Sequence, residues 1–235
     1  MLDKIQLDRI LFLDIETVPQ YPTFSDLSDH EQKLYSQKTK FLQKEQTAEE
    51  VYDRAGIYAE FGKIICISIG YVHHASFGNQ IRLKSFYHDD EETLLKQFVT
   101  LLEDNPKFSV LCGHNAKEFD FPYICRRLLI HGIPLPQILN IAGKKPWEIA
   151  HLDTMELWKF GDYKSYTSLA LLCHVFKIPT PKDDISGEDV ARVYYEEKNL
   201  DRIKVYCEKD VVALIQLFLR MKNDSIILED NILYS

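Results

Sequence analysis

Long apolar runs are missing from these 235 residues. None approaches the roughly 20 residues that a membrane-spanning helix needs, and the start, Met1-Leu2-Asp3-Lys4, lacks the charged-then-apolar pattern of a secretion signal. A cytoplasmic protein with no membrane contact is the expectation. Cysteine is sparse: Cys66, Cys112, Cys125, Cys173 and Cys207 form no C-x-x-C pair, and several lie in apolar runs, where a thiol acts as a small core residue. Neither a disulfide scaffold nor a cysteine-zinc module fits that pattern. Positive charge is in deficit too, with 28 Lys+Arg against 36 Asp+Glu and a net charge of −8. This argues against a broad basic face that grips nucleic acid through many phosphate contacts. It leaves room for an enzyme that handles one strand end, because bound cations can dominate a site where acidic residues converge.

Phosphate cradles are absent as well. There is no G-x-G-x-x-G after a strand and no G-x-x-x-x-G-K-[ST]. No H-E-x-x-H occurs, and His73-His74 are adjacent on an expected strand, where their side chains point to opposite faces. Glycine and proline number nine each and are scattered singly, with no repeat or low-complexity tract, so one domain over residues 1–235 is the simplest organisation.

What is present reads as a mixed α/β pattern. Ile10-Leu11-Phe12-Leu13 has the continuous apolar character of a strand buried on both faces, ending at Asp14. Residues 19–62 change character, broken by Pro19 and Pro22 and then charged and helix-compatible, with Ser28 or Asp29 as a possible cap. They are read as a helical insertion. Residues 64–72 and 81–87 form an expected antiparallel hairpin with a wider loop near Gly78-Asn79. A helix is expected over 91–103, strands over 109–112 and 149–152, and further helices over 122–131, 167–176, 187–197 and 200–221. A hairpin followed by βα crossovers suggests a mixed sheet with helices on its faces.

Three short patterns carry candidate chemistry. Asp14 and Glu16, two apart at the end of the first strand, share a face by the strand's period of two. Taken alone, such a pair more often marks an exit into solvent. Asp120, just after the fourth strand and two residues before Pro122, could equally be a helix cap. Tyr206 and Asp210 lie one helical turn apart, separated by ~6 Å of rise, within an otherwise apolar stretch.

Together, in this order and context, these patterns resemble the three exonuclease motifs of the DEDD superfamily. Residues 113–123, with Asn115, Phe119, Asp120, Pro122 and Tyr123, look most like the proofreading exonuclease domain of B-family DNA polymerases. Phe61-Gly62-Lys63-Ile64, Leu152-Asp153-Thr154, Ser186-Gly187 and Asp189-Val190 are similar to a bacterial group of stand-alone relatives of that domain. Position 205 is Val, where the histidine branch of the superfamily places its His, so the resemblance is to the tyrosine, or DEDDy, type.

The resemblance implies a ribonuclease H-like α/β domain with a mixed five-stranded sheet in the order 3-2-1-4-5. The second strand would be antiparallel to the others, with the carboxylates at the C-terminal end of the first. It implies a metal-dependent 3′→5′ exonuclease that releases nucleoside 5′-monophosphates from single-stranded nucleic acid, with DNA favoured and RNA the near alternative. Asp14, Glu16 and Asp120 would hold one divalent ion, Asp14 also a second, and Asp210 would complete the first ion's shell. Tyr206 would orient the attacking water. Thr17, Asn115 and Phe119 would hold the terminal nucleotide, Phe119 by stacking. Asp153 is either a helper behind the site or a helix cap.

Elementary electrostatics agrees with a metal requirement. Four carboxylates ~4 Å apart repel by roughly 4 kcal/mol per pair at an effective dielectric of ~20. Hard oxygen donors suit two Mg²⁺ or Mn²⁺ ions. The competing reading is a non-catalytic nucleic-acid-binding relative of the same fold.

Overall fold

A computed structural model of the chain describes residues 5–162, 164, 166–179 and 185–234. Met1 to Lys4, read above for the lack of a secretion signal, lie outside the described residues. Six strands are formed: β1 (Ile10–Pro19), β2 (Gly62–Ala75), β3 (Gly78–Tyr87), β4 (Val110–Gly113), β5 (Leu152–Asp153) and β6 (Ile232–Tyr234). The helices are α1 (Asp29–Lys38), α2 (Glu91–Asp104), α3 (Asp120–Ile130), α4 (Thr154–Lys159), α5 (Leu169–Val175), α6 (Val190–Tyr195) and α7 (Leu200–Met221).

They build one sheet in the order β5-β4-β1-β2-β3-β6. β2 is antiparallel to β1 and β3, whereas β1/β4, β4/β5 and β3/β6 are parallel. The expected order 3-2-1-4-5 is therefore present, with one strand more than expected. That strand, Ile232–Tyr234, is three residues long and lies beyond α7, too short for a periodicity to show.

β1 is longer than its apolar run suggests. Its parallel pairing with β4 stops at Phe12, but its antiparallel pairing with β2 continues from Phe12↔Gly70 to Pro19↔Gly62. Asp14 and Glu16 thus sit within the strand, past the end of the parallel pairing, rather than at its terminus. The register shifts between Glu16 and Thr17, which face Cys66 and Ile64, so Ile65 is the extra residue of a bulge in β2. The hairpin loop is also tighter than expected: Ala75 pairs Gly78, leaving Ser76 and Phe77 as the turn, with Gly78 at φ +125°. That φ favours glycine.

Period two divides β1 between two cores. Leu11, Leu13 and Ile15 pack with Leu94, Leu95 and Phe98 of α2 and with Phe121, Ile124 and Leu128 of α3. Ile10 and Phe12 pack on the other face with Val211, Leu214, Ile215 and Phe218 of α7. The Phe12 and Phe218 rings meet edge-on at 5.4 Å. α7 comes close enough that a Cβ on Gly70 would lie 2.9 Å from Val211 and Ile215. Burying such side chains stabilises by about 1.5–3 kcal/mol each.

Residues between β1 and β2 form one α-helix, α1, capped by Ser28 in a reciprocal arrangement with Glu31, and 3-10 turns. They have a small core of their own around Leu27, Tyr35, Val51, Tyr52 and Phe61. Two contacts tie this segment to α3. Tyr123 Oη donates to Gly56 O at 2.8 Å, and Arg127 Nη1 donates to Ala59 O at 2.7 Å.

Arg127 also grips Glu91 of α2, with Nη2 and Oε2 2.5 Å apart and both side chains buried. Glu91 Oε1 in turn accepts from Ile64 N at 2.7 Å. One ion pair therefore joins α2, α3, β2 and the inserted segment. Replacing Arg127 by methionine leaves a buried carboxylate without its guanidinium and is expected to cost about 3–5 kcal/mol, read as a lower urea midpoint.

Candidate active site

Asp14 and Glu16 project from β1 on the same face as Phe12, towards α7, as the strand period requires. Glu16 is buried and Asp14 half-buried. On α7, Cys207 lies against this pair. Its thiol contacts Asp14 O at 3.5 Å and Asp14 Oδ2 at 3.6 Å. Asp14, Glu16 and Cys207 each present a possible ligand atom, all within 4.8 Å of one another.

Asp120 arrives from α3. It is buried, and it does not cap its own helix; instead its Oδ1 accepts the Ile15 N–H at 3.2 Å, which seats the start of α3 against β1 between the two other carboxylates. Asp210 follows Tyr206 by one turn of α7 and hydrogen-bonds to its hydroxyl. Asp120 and Asp210 are outside the 4.8 Å group, yet both act on it through their charge.

Burial, then Asp120 and Asp210, push Asp14 well above the usual carboxylate range. Burial, then Asp14 and Asp210, do the same to Glu16. Asp120 is pushed up to about 7, chiefly by burial, against the opposing hydrogen bonds from its own backbone and from Ile15. Among the described residues, no Lys or Arg forms an ion pair with Asp14, Glu16 or Asp120. Converging hard oxygen donors, mutually repelling and without a side-chain cation, fit a divalent metal of the Mg²⁺ or Mn²⁺ kind. Tyr206 is half-buried, and burial together with Asp210, Glu16 and Asp14 raises its hydroxyl above the ordinary phenol value.

Thr17, Asn115 and Phe119, the residues expected to hold a nucleotide, lie near the start of α3. Thr17 is on the opposite face of β1 from Asp14 and Glu16, its side chain bonded to the Tyr123 hydroxyl. Asn115 occupies the left-handed region at φ +60° in the turn after β4. Phe119 precedes α3 and packs its ring on Tyr123 at 5.4 Å, partly buried against the α2/α3 core.

Asp153 is the residue whose part the motif pattern understates. It caps α4, its Oδ1 accepting from Met155 N and Glu156 N, and it also accepts from Asn115 N at 2.9 Å and Lys117 N at 3.0 Å. The cap reading of Asp153 holds, and the same side chain also ties down the turn before α3. His114 secures the same turn, bonding Thr154 Oγ1 at 2.8 Å and Thr167 O at 2.9 Å. The turn leads directly into Asp120. Gly113 permits it, since a Cβ there would fall 2.2 Å from that of Ala116.

Cys207 escaped sequence reasoning because a cysteine in an apolar helix reads as core. The signal was its position directly after Tyr206, on the helix face that meets β1.

Among the described residues, no helix is long and apolar enough to cross a membrane. In the structure of the family B DNA polymerase from the hyperthermophilic archaeon Pyrobaculum calidifontis, a region matches 91% of this chain with a TM-score of 0.57 at 16% identity. The match spans 24% of the polymerase chain, and at this identity it establishes the shared ribonuclease H-like fold alone. Residues 57–231 match the model of a family described as "Predicted 3'-5' exonuclease related to the exonuclease domain of PolB". With that match over most of its length, this chain belongs to the family of predicted 3′-5′ exonucleases related to the exonuclease domain of PolB.

Proposed function

We propose that the chain, residues 19–62 included, is a DEDDy-type 3′→5′ exonuclease. It hydrolyses the terminal phosphodiester of single-stranded nucleic acid, DNA in preference to RNA, and releases nucleoside 5′-monophosphates. The observation that carries this reading is the convergence of Asp14, Glu16, Asp120 and Asp210, with Tyr206, from three separate elements around the Asp14–Glu16 stretch of β1.

Asp14, Glu16 and Asp120 would hold one divalent cation, with Asp210 completing its shell and Asp14 shared with a second. When bound, such ions supply positive charge to the attacking water and to the leaving oxygen of the phosphodiester. The protein's own part is positional. Ile15 N–H fixes one oxygen of Asp120, and Asp153 holds the turn that leads to it. Tyr206 orients the water that attacks phosphorus. Its raised pKa keeps the phenol protonated near neutral pH, so it acts as a hydrogen-bonding group and not as the base. The P–O3′ bond breaks, the 3′ oxygen of the shortened strand takes a proton, and the phosphate remains on the 5′ carbon of the released nucleotide.

Digestion of 5′-labelled single-stranded DNA and RNA of one sequence, resolved on a gel, tests the reading. The expected result is a Mg²⁺- or Mn²⁺-dependent ladder shortening from the 3′ end, abolished in Asp14→Ala. No ladder on either polymer from folded protein would favour the non-catalytic binding relative. Tyr206→Phe should fold normally and lose about 10²-fold in kcat, the size expected when a reacting group is misplaced by about 1 Å.

Stability should report the same carboxylates. A carboxyl whose folded-state pKa lies above its unfolded value stabilises the fold at low pH and loses that contribution as pH rises through the folded value. For Asp120 this window runs from the usual ~3.9 to about 7, and Asp14 and Glu16 share its sign. In chelator, Tm is therefore expected to fall between pH 5 and pH 8. Added Mn²⁺ should raise Tm more at pH 8 than at pH 5, because a ligand bound by the native state stabilises it. Differential scanning fluorimetry reads both trends, and a metal shift that is larger at pH 5 would count against the site.

A further inference from the structure

On the opposite face of the sheet from the carboxylates, α2 ends at Asp104 before it has covered the full length of β2 and β3. The uncovered stretch is the floor of a cavity of about 420 Å³, within the size range of sites that take one or two side chains or a small ligand. Its apolar surface comes from the partly exposed Tyr71 and Leu101 and the exposed Leu233. Its rim carries Arg82 and Lys84 from β3 and Lys107 from the loop after α2, all three exposed.

The charge that lines this cavity is opposite in sign to that of the chain as a whole. No residue lining the cavity is acidic, although the protein as a whole carries −8. Among the described residues, no carboxylate pairs with Arg82, Lys84 or Lys107. Lys107 instead lies over two rings, its Nζ 4.7 Å from the centroids of both Tyr71 and Phe108. Lys84 lies over Phe86 at 5.3 Å. Cation–π contacts hold these ammonium groups near the apolar floor while leaving their hydrogen-bond donors free for an anion.

We propose that this concavity binds a short acidic segment of a partner protein that carries one bulky apolar side chain. The apolar side chain would occupy the floor between Tyr71, Leu101 and Leu233, and carboxylates on the segment would meet Arg82, Lys84 and Lys107. Arg82 can take a carboxylate through two parallel hydrogen bonds, and the two lysines act as point charges. A nucleic-acid strand fits less well, because Lys107 lies over the Tyr71 and Phe108 rings that a base would stack on, and the rest of the floor is aliphatic. The surface is separate from the carboxylate site, with the sheet between them: Leu11 lines the cavity, whereas Asp14 and Glu16 face α7. It would therefore recruit the enzyme without taking part in hydrolysis.

Fluorescence anisotropy on the full chain tests this with three labelled eight-residue peptides. One has six aspartates followed by leucine and phenylalanine, one has lysines in place of the aspartates, and one is all aspartate. The first should bind best, and its affinity should fall about 10-fold or more between 50 and 300 mM salt, as screening of exposed charges requires. The triple variant Arg82→Glu/Lys84→Glu/Lys107→Glu should weaken that binding at least about 10-fold. The same variant should keep the wild-type Tm and its rate on a short single strand. Lys107→Ala alone should give a smaller loss, which separates a local effect from misfolding. Failure of the first peptide to bind at about 1 mM, or equal binding by wild type and triple variant, would overturn the proposal. If the triple variant loses affinity for a 30-nucleotide single strand but not for the peptide, the face is a nucleic-acid contact and the proposal is likewise overturned. Because anisotropy needs no turnover, its outcome is independent of whether the carboxylate site is catalytic.

Discussion

Burial of carboxylates gathered around β1 is the constraint around which the rest of the molecule is arranged. Asp14, Glu16 and Asp120 are all held above their usual pKa range, and burial is the leading cause in each case. Such a group costs stability wherever it is ionised and unneutralised. It persists because β1 is held by its long antiparallel pairing with β2 and clamped between two apolar layers. The fold is made stable by those layers, and the site is placed where they meet.

The same strand serves both ends. Its odd-numbered residues enter the α2/α3 core and its even-numbered residues pass from the α7 core at Phe12 to the acidic site at Asp14 and Glu16. A change of one residue in register would exchange the two sets. The other members of the site are fixed from outside β1. Asp120 rests on the Ile15 N–H, Tyr206 and Asp210 are spaced by a turn of α7, and Asp153 ties the turn before α3 to the start of α4. Arg127 performs the corresponding service for the inserted segment, linking it to α2, α3 and β2 through a single buried guanidinium. The basic face above Tyr71 uses the remaining part of the α2 side, where the helix stops short of the sheet's edge.

Local pattern determined a good deal. The period of two placed Asp14 and Glu16 on one face, the period of 3.6 placed Tyr206 and Asp210 on one face, and the apolar spacing of α7 marked its span, Leu200–Met221, without the structure. The hairpin followed from the strand pattern and the order 3-2-1-4-5 from the resemblance, and both agree with the sheet. What only the tertiary structure decided depends on contacts between residues far apart in the chain. β1 extends through its acidic residues because β2 supplies hydrogen bonds there, and β6 is a strand because β3 offers it an edge. Cys207 joins the site, and Thr17 turns away from it, because α7 and α3 approach β1 from opposite faces. A backbone period specifies which side a residue takes, but the partner waiting on that side is a property of packing, and packing is not written locally.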